Sequence, residues 1–134
     1  MQDINVQDAI SALLVGATTS AAPTGMAKLK VLHREATQSL PQQEAQEIRV
    51  LLATLEPGDR TPYHSHRFPV TVFMLSGEFT LELDGRDPVI LHAGNVFVEP
   101  SLVAMTGHNR SERPTTMALF YVSDPDTPFA DAIS

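Results

Sequence analysis

The residues with the plainest chemical potential are His64 and His66, separated by Ser65. On an extended strand, residues two apart point to the same side, so both imidazoles face one way and Ser65 the other. Two neutral imidazoles converging on one point are a common start of a transition-metal site. The spacing alone is weak: the five histidines of 134 residues would give about 0.2 such pairs by chance. Context strengthens it, because Gly58-Asp59-Arg60-Thr61-Pro62-Tyr63 leads into the pair and Gly77 follows at the end of the next apolar run. A Ser-His-Asp arrangement at Ser65 would need a bend in the strand. No glycine-rich phosphate loop precedes a helical segment. The absence of cysteine excludes disulfides, thiolate-bound zinc, iron–sulfur clusters and thiol catalysis.

The elements that must carry these residues read as short strands. Apolar runs over 47–55 and 70–75 end at Pro57-Gly58 and Ser76-Gly77. Phe79, Leu81 and Leu83 alternate with Thr80, Glu82 and Asp84, a strand with one buried face, and Asp84-Gly85 signals a tight turn. Further strands are expected over 28–34 (with Leu29, Val31 and His33 on one face), 89–91, 96–98, 103–106 and 116–122. Such spacing points to an antiparallel sandwich or small barrel. Before them, Val6, Ile10, Leu13 and Leu14 recur at helical spacing between Asn5 and Gly16, which predicts a short N-terminal helix. The expected organisation is a helix-and-loop extension over 1–25 and a single barrel over 26–134, closed by an irregular strap from Asp124 to Ser134.

The net charge of −7 argues against nucleic acid and anionic membrane surfaces as partners, since both need concentrated positive charge. No Lys or Arg precedes Lys28, so the apolar start lacks the positive flank of a signal peptide. No stretch reaches the roughly 20 apolar residues that span a bilayer. The expected location is the cytoplasm.

Gly58…His64-Ser65-His66…Gly77, followed by Gly94…Pro100…Asn109, resembles the two motifs of the cupin superfamily over about Leu51 to Val122. The first motif runs G-x5-H-x-H-x3–4-E-x6-G and the second G-x5-P-x-G-x2-H-x3-N. The resemblance implies an all-β, antiparallel jelly-roll (cupin) barrel and a homodimer. It also implies one divalent metal (Fe, Mn, Ni, Cu or Zn) inside the barrel, held by His64 and His66 together with a Glu and a further His. The chain departs from the motifs at two ligand positions: Val70 or Thr71 stands at the Glu and Met105 at the second-motif His. Two residues are candidates to complete the set. His108 would need a bulge at Gly107 to face inward. Glu99, before Pro100, would make a two-His-one-carboxylate set.

Tyr63, Phe73 and Met105, with Met74, Met117, Phe120 and Tyr121, are expected on strands near the pocket, and Arg67 at its mouth, where it would meet an anionic ligand. Tyr63, Arg67, Phe73 and Met105 are the candidate substrate contacts. His92 reads as an exposed turn residue and His33 as a residue of a subunit interface. Three functions stay open. One is a metalloprotein acting on a small organic molecule, in the manner of an oxygenase or isomerase. The second is a metal-free small-molecule binding module. The third is a structural homodimer joined through the first helix and the strand of His33.

Overall fold

The computed structural model describes residues 24–134. The expected helix over Val6–Val15 lies outside them. The chain divides into two units between Arg34 and Glu35. Of the first, residues 24–34 form a turn around Gly25 and then an exposed irregular run. The strand expected over 28–34 is therefore absent. Its alternating apolar side chains Leu29 and Val31 stay exposed, and without a buried face alternation alone does not hold a strand.

The second unit is all-β, with no helix among the described residues. Its strands are β1 (Glu47–Leu55), β2 (His64–Ser65), β3 (Val70–Ser76), β4 (Glu78–Leu83), β5 (Val89–His92), β6 (Val96–Glu99), β7 (Met105–His108), β8 (Thr115–Ser123) and β9 (Asp131–Ala132). They form a four-stranded sheet ordered β1-β8-β3-β6 and a five-stranded sheet ordered β5-β4-β7-β2-β9. The strand pairs are antiparallel. The expected closed barrel is thus two separate sheets. The chain crosses between them at tight turns, one at Gly77 (φ 80°) and one at Gly94 (φ 88°), rather than continuing one ladder around. The tail expected to be wholly irregular contributes β9, which pairs Ala132 with His64 and Asp131 with Ser65.

Period-two burial follows from the pleat: on β3, Val70, Val72 and Met74 are buried while Thr71 and Phe73 are only partly so. The same inward set includes Met117 and Tyr121 of β8, Leu81 and Leu83 of β4, and Met105 of β7, all buried in one apolar cluster. Gly77 is required by its surroundings, since a Cβ there would lie 2.6 Å from the Pro114 carbonyl oxygen and 2.5 Å from Thr115 Oγ1. Asn109 is buried and anchors the loop after β7. Its Nδ2 donates to the carbonyls of Leu55 and Arg113 (2.9 and 2.7 Å), and its Oδ1 accepts from Ser111 N and Oγ. No helix of the described residues is long and apolar enough to cross a membrane.

Candidate functional site

His64 and His66 sit at the start of the second sheet with both rings buried. Their centroids lie 4.8 Å apart in an edge-on arrangement. Each ring is fixed by one hydrogen bond: Nδ1 of His64 to the Pro62 carbonyl and Nδ1 of His66 to the Phe129 carbonyl, both at 2.6 Å. A carbonyl only accepts, so Nδ1 carries the hydrogen in each ring. In the neutral imidazole this leaves the lone pair on Nε2, the tautomer that metal-ligating histidines adopt.

Both rings line a cavity of about 60 Å³ between the sheets, together with Glu99 and Thr61. Its remaining wall is mainly apolar, from Leu55, Leu81, Met117, Leu119, Phe79 and Phe129. Glu99 is buried, 6% exposed, and its Oε1 stands 3.4 Å from His66 Nε2. Its position is set by register: Glu99 on β6 lies directly opposite Val70 on β3. Directly opposed residues share a sheet face. Val70 is one of the two positions where the first motif would carry its Glu, so a carboxylate reaches the same face from the neighbouring strand. Thr71 takes the outer face.

The facing pair is chemically informative. An Nε2 lone pair and a carboxylate oxygen are both acceptors, so their approach to 3.4 Å is favourable only with a proton or a cation between them. Donor atoms about 2.0–2.2 Å from one metal are about 3–3.5 Å apart at tetrahedral or octahedral angles. The donor chemistry, two imidazoles and one carboxylate, fits a divalent transition metal. As placed, however, no group of three or more His, Cys, Asp or Glu side chains among the described residues could hold a metal ion.

A second, wider pocket of about 310 Å³ opens outside the first. It is lined by Thr61, Pro62, His64, Phe129, Ala130 and Ala132. Thr61, His64 and Phe129 border both spaces, so the tail contributes Phe129 to the boundary between them. The strap is fastened by Arg67, whose Nε and Nη2 donate to the two carboxylate oxygens of Asp131 at 3.0 and 3.1 Å. That hydrogen bond, with the charge of Arg67, holds the Asp131 carboxyl below the usual carboxylate range against a smaller opposing effect of desolvation.

Other expected site residues fall elsewhere. His108 does not line the cavity. The register of β4 with β7 runs unbroken from Leu83↔Met105 to Thr80↔His108, so no bulge turns the ring inward, and its Nε2 faces Glu82 at 3.4 Å. Met105 is fully buried in the apolar cluster and borders neither pocket. Phe73 pairs with Val96 and Ala118 on the outward-facing side of β3. The Tyr63 hydroxyl donates to Asp84, which raises its pKa, and the ring is exposed. Arg67 acts through Asp131 rather than on the cavity. His92 is exposed beside Glu78. Among the pocket residues that sequence reasoning did not single out are Thr61, Phe129, Ala130 and Ala132. The available signal was Phe129, a lone aromatic in a tail of small and acidic residues.

Two antiparallel sheets around a small cavity with two imidazoles in its wall define a jelly-roll architecture. The chain belongs to the cupin family: the family model described as a cupin domain matches residues 51–122, more than half of the chain. Solved structures agree on the fold. A cupin-like protein from Thermotoga maritima superposes with a TM-score of 0.55 at 22% identity, over 65% of each chain. An uncharacterized protein with a double-stranded beta-helix domain from Klebsiella pneumoniae gives 0.56 at 19% identity, over 77% of this chain and 92% of that one. The polyketide cyclase RemF from Streptomyces resistomycificus gives 0.56 at 16% identity, over 68% and 63%. No curated protein matches the chain in sequence.

Proposed function

We propose that this cupin binds one divalent transition metal through His64, His66 and Glu99 and acts on a compact, largely apolar organic molecule that reaches the site through the outer pocket. The observation that carries this reading is the facing of His66 Nε2 and Glu99 Oε1 at 3.4 Å, with His66 Nδ1 already committed to the Phe129 carbonyl. A buried carboxylate against an imidazole lone pair calls for a positive charge between them. A metal at this place would supply Lewis acidity toward a bound oxygen. The chain's own residues would orient the ligand, the Phe129 ring and Ala130 packing on its apolar body while Thr61 and His64 supply polar contacts. The outer pocket has no charged side chain except the titratable His64, which favours ligands uncharged over most of their surface. The polyketide cyclase of the same fold is one case of such a framework carrying chemistry on an organic molecule.

Metal analysis of the purified protein and titration with Mn, Fe, Co, Ni, Cu and Zn salts test the proposal. The expected result is close to one equivalent per chain, lost in His64→Ala and in Glu99→Gln. A wild-type protein that takes up none of these ions ends it.

A second reading is a metal-free binding module in which a proton bridges His66 and Glu99. It is favoured by the small size of the inner cavity, about 60 Å³. In that case Glu99→Gln leaves metal uptake unchanged at zero while binding of a small apolar ligand, read by calorimetry, persists in the wild type without metal.

A further inference from the structure

Two spaces meet at the histidines and differ in what they can hold. The inner cavity, about 60 Å³, falls well short of the roughly 150 Å³ that takes up benzene. The outer pocket, about 310 Å³, exceeds it. His66 and Glu99 line the inner space and not the outer one. A ring-sized organic molecule therefore fits outside and has no place beside those two side chains unless the boundary moves.

Three residues line both spaces, and two of them are fixed to the sheet. Thr61 is tied twice to Gly107: its N–H donates to the Gly107 carbonyl and its Oγ1 accepts from the Gly107 N–H, both at 2.8 Å. His64 pairs with Met105 on β7, and its ring is held by the Pro62 carbonyl. The third, Phe129, is carried by the strap. Its ring packs edge-on against Tyr121 at 5.3 Å and tilted on His66 at 4.9 Å.

The strap is held tightly at its base and lightly beyond it. Thr127 is buried, its carbonyl accepting from Arg49 Nη2 at 2.7 Å and its N–H donating to the Asp124 carbonyl at 3.3 Å. Pro128 follows and has no N–H to add to a ladder. Beyond it, β9 is two residues long and pairs, among the described residues, with β2 alone at the end of the sheet order. Short edge segments of this kind lie at the low end of a protein's local opening free energies.

We infer that the segment from Pro128 to Ala132 is a gate on the inner cavity, pivoting at Thr127, with the Phe129 ring as its bar. The gate rests on the ligand site proposed above but not on its metal. The Phe129 carbonyl also holds Nδ1 of His66, so lifting the strap opens the cavity and frees that ring in one movement. Entry and readiness therefore exclude each other: a ligand enters while His66 is loose, and the ring is set again only when the strap has closed behind it.

The test is a latch. The chain has no cysteine, and Ser65 stands directly opposite Asp131 across β2 and β9, a Cα separation of about 4.5–5.5 Å that a disulfide spans. The probe is diethyl pyrocarbonate, a compact uncharged reagent that acylates neutral imidazole and must enter the inner cavity to reach Nε2 of His66. Mass spectrometry of the metal-free protein locates each label. In Ser65→Cys/Asp131→Cys, oxidation is expected to slow labelling of His66 by about 10-fold or more and reduction to restore it, while exposed His92 labels equally in both states. Adding Phe129→Ala to the oxidised protein should restore the label on His66 with the strap still tied. In the wild type, the amide of Ile133, which donates to the Tyr63 carbonyl, should exchange about 100-fold or more ahead of that of Met74, which donates to Asn95 in the body of the fold. The gate is overturned by labelling of His66 that ignores the latch, by a tied Phe129→Ala protein that stays unlabelled, or by equal protection of Ile133 and Met74, which would mean that only whole-molecule unfolding admits the probe. Absence of metal uptake leaves each of these readings intact, and a gate that fails leaves metal uptake as measured.

Discussion

Leu102 holds a left-handed backbone, φ 61°, while its side chain is 76% exposed. Its N–H donates to the His66 carbonyl at 2.7 Å, so this turn helps position the buried ring. The second motif carries Gly here, and a branched side chain in this region costs about 1–2 kcal/mol. Glycine would relieve that cost but add about 0.4–1 kcal/mol of unfolded-chain entropy. Leu102→Gly is therefore expected to stabilise the fold by about 0.5–1 kcal/mol, read as a higher urea midpoint at unchanged slope. Gly107 is a contrary case. A Cβ there would lie 2.1 Å from Phe79 Cζ, and both residues line the inner cavity. Gly107→Ala should cost about 1–3 kcal/mol, the range for overpacking, and push the Phe79 ring toward the histidines.

At the scale of elements, the strap from Phe129 to Ala132 sets the site. Its carbonyl orients His66, its backbone pairs with β2, and Ile133 N–H donates to the Tyr63 carbonyl at 3.0 Å. The Arg67–Asp131 clasp is exposed, so it contributes little to global stability, but it is a side-chain tie on the strap beside the main-chain ones. The Asp131 carboxyl titrates lower in the folded protein than in the unfolded chain. The clasp is therefore fully formed above the unfolded carboxyl value of about 4 and is lost as pH falls through the lower folded value. NMR signals of Ala132 and Ile133 should begin to broaden as the pH drops below about 4. Asp131→Asn should show those signals broadened already at neutral pH, with no acid step.

For the molecule as a whole, ligation should be visible as stability. An ion that binds the folded chain alone stabilises it by about 2.7 kcal/mol at 100 times its Kd. If the proposed site holds a metal, adding that ion should raise the melting temperature of the wild type and leave that of His66→Ala unmoved. The outer face of the four-stranded sheet, where Ile48, Val50, Leu52 and Phe120 are exposed, also bears on solubility. With a pI near 5.0, the chain loses its net repulsion in mild acid. Turbidity should therefore be greatest near pH 5, and a Val50→Lys/Leu52→Lys variant should stay clearer there.

Much of the fold was legible because it rests on local regularities. Alternation in 79–83, the apolar runs over 47–55 and 70–75, and glycines at Gly77 and Gly94 marked strands and turns whose period matches the pleat. The strand over 28–34 misled for the same reason: it has the alternation but no sheet to bury it. The histidine pair was legible because residues two apart share a face on any strand. The placement of the carboxylate was not, since Glu99 meets Val70 through the pairing of β6 with β3, and register between distant strands is decided by packing. Nor could spacing show that the chain's tail closes the pocket and holds His66 by a main-chain carbonyl, which carries no side-chain signature. The sequence by itself determined most strands of the second unit, the turns at Gly77 and Gly94, and the two imidazoles. Only the tertiary structure decided what stands opposite those rings, because contacts between strands far apart in the chain depend on how the sheets pair and fold over one another.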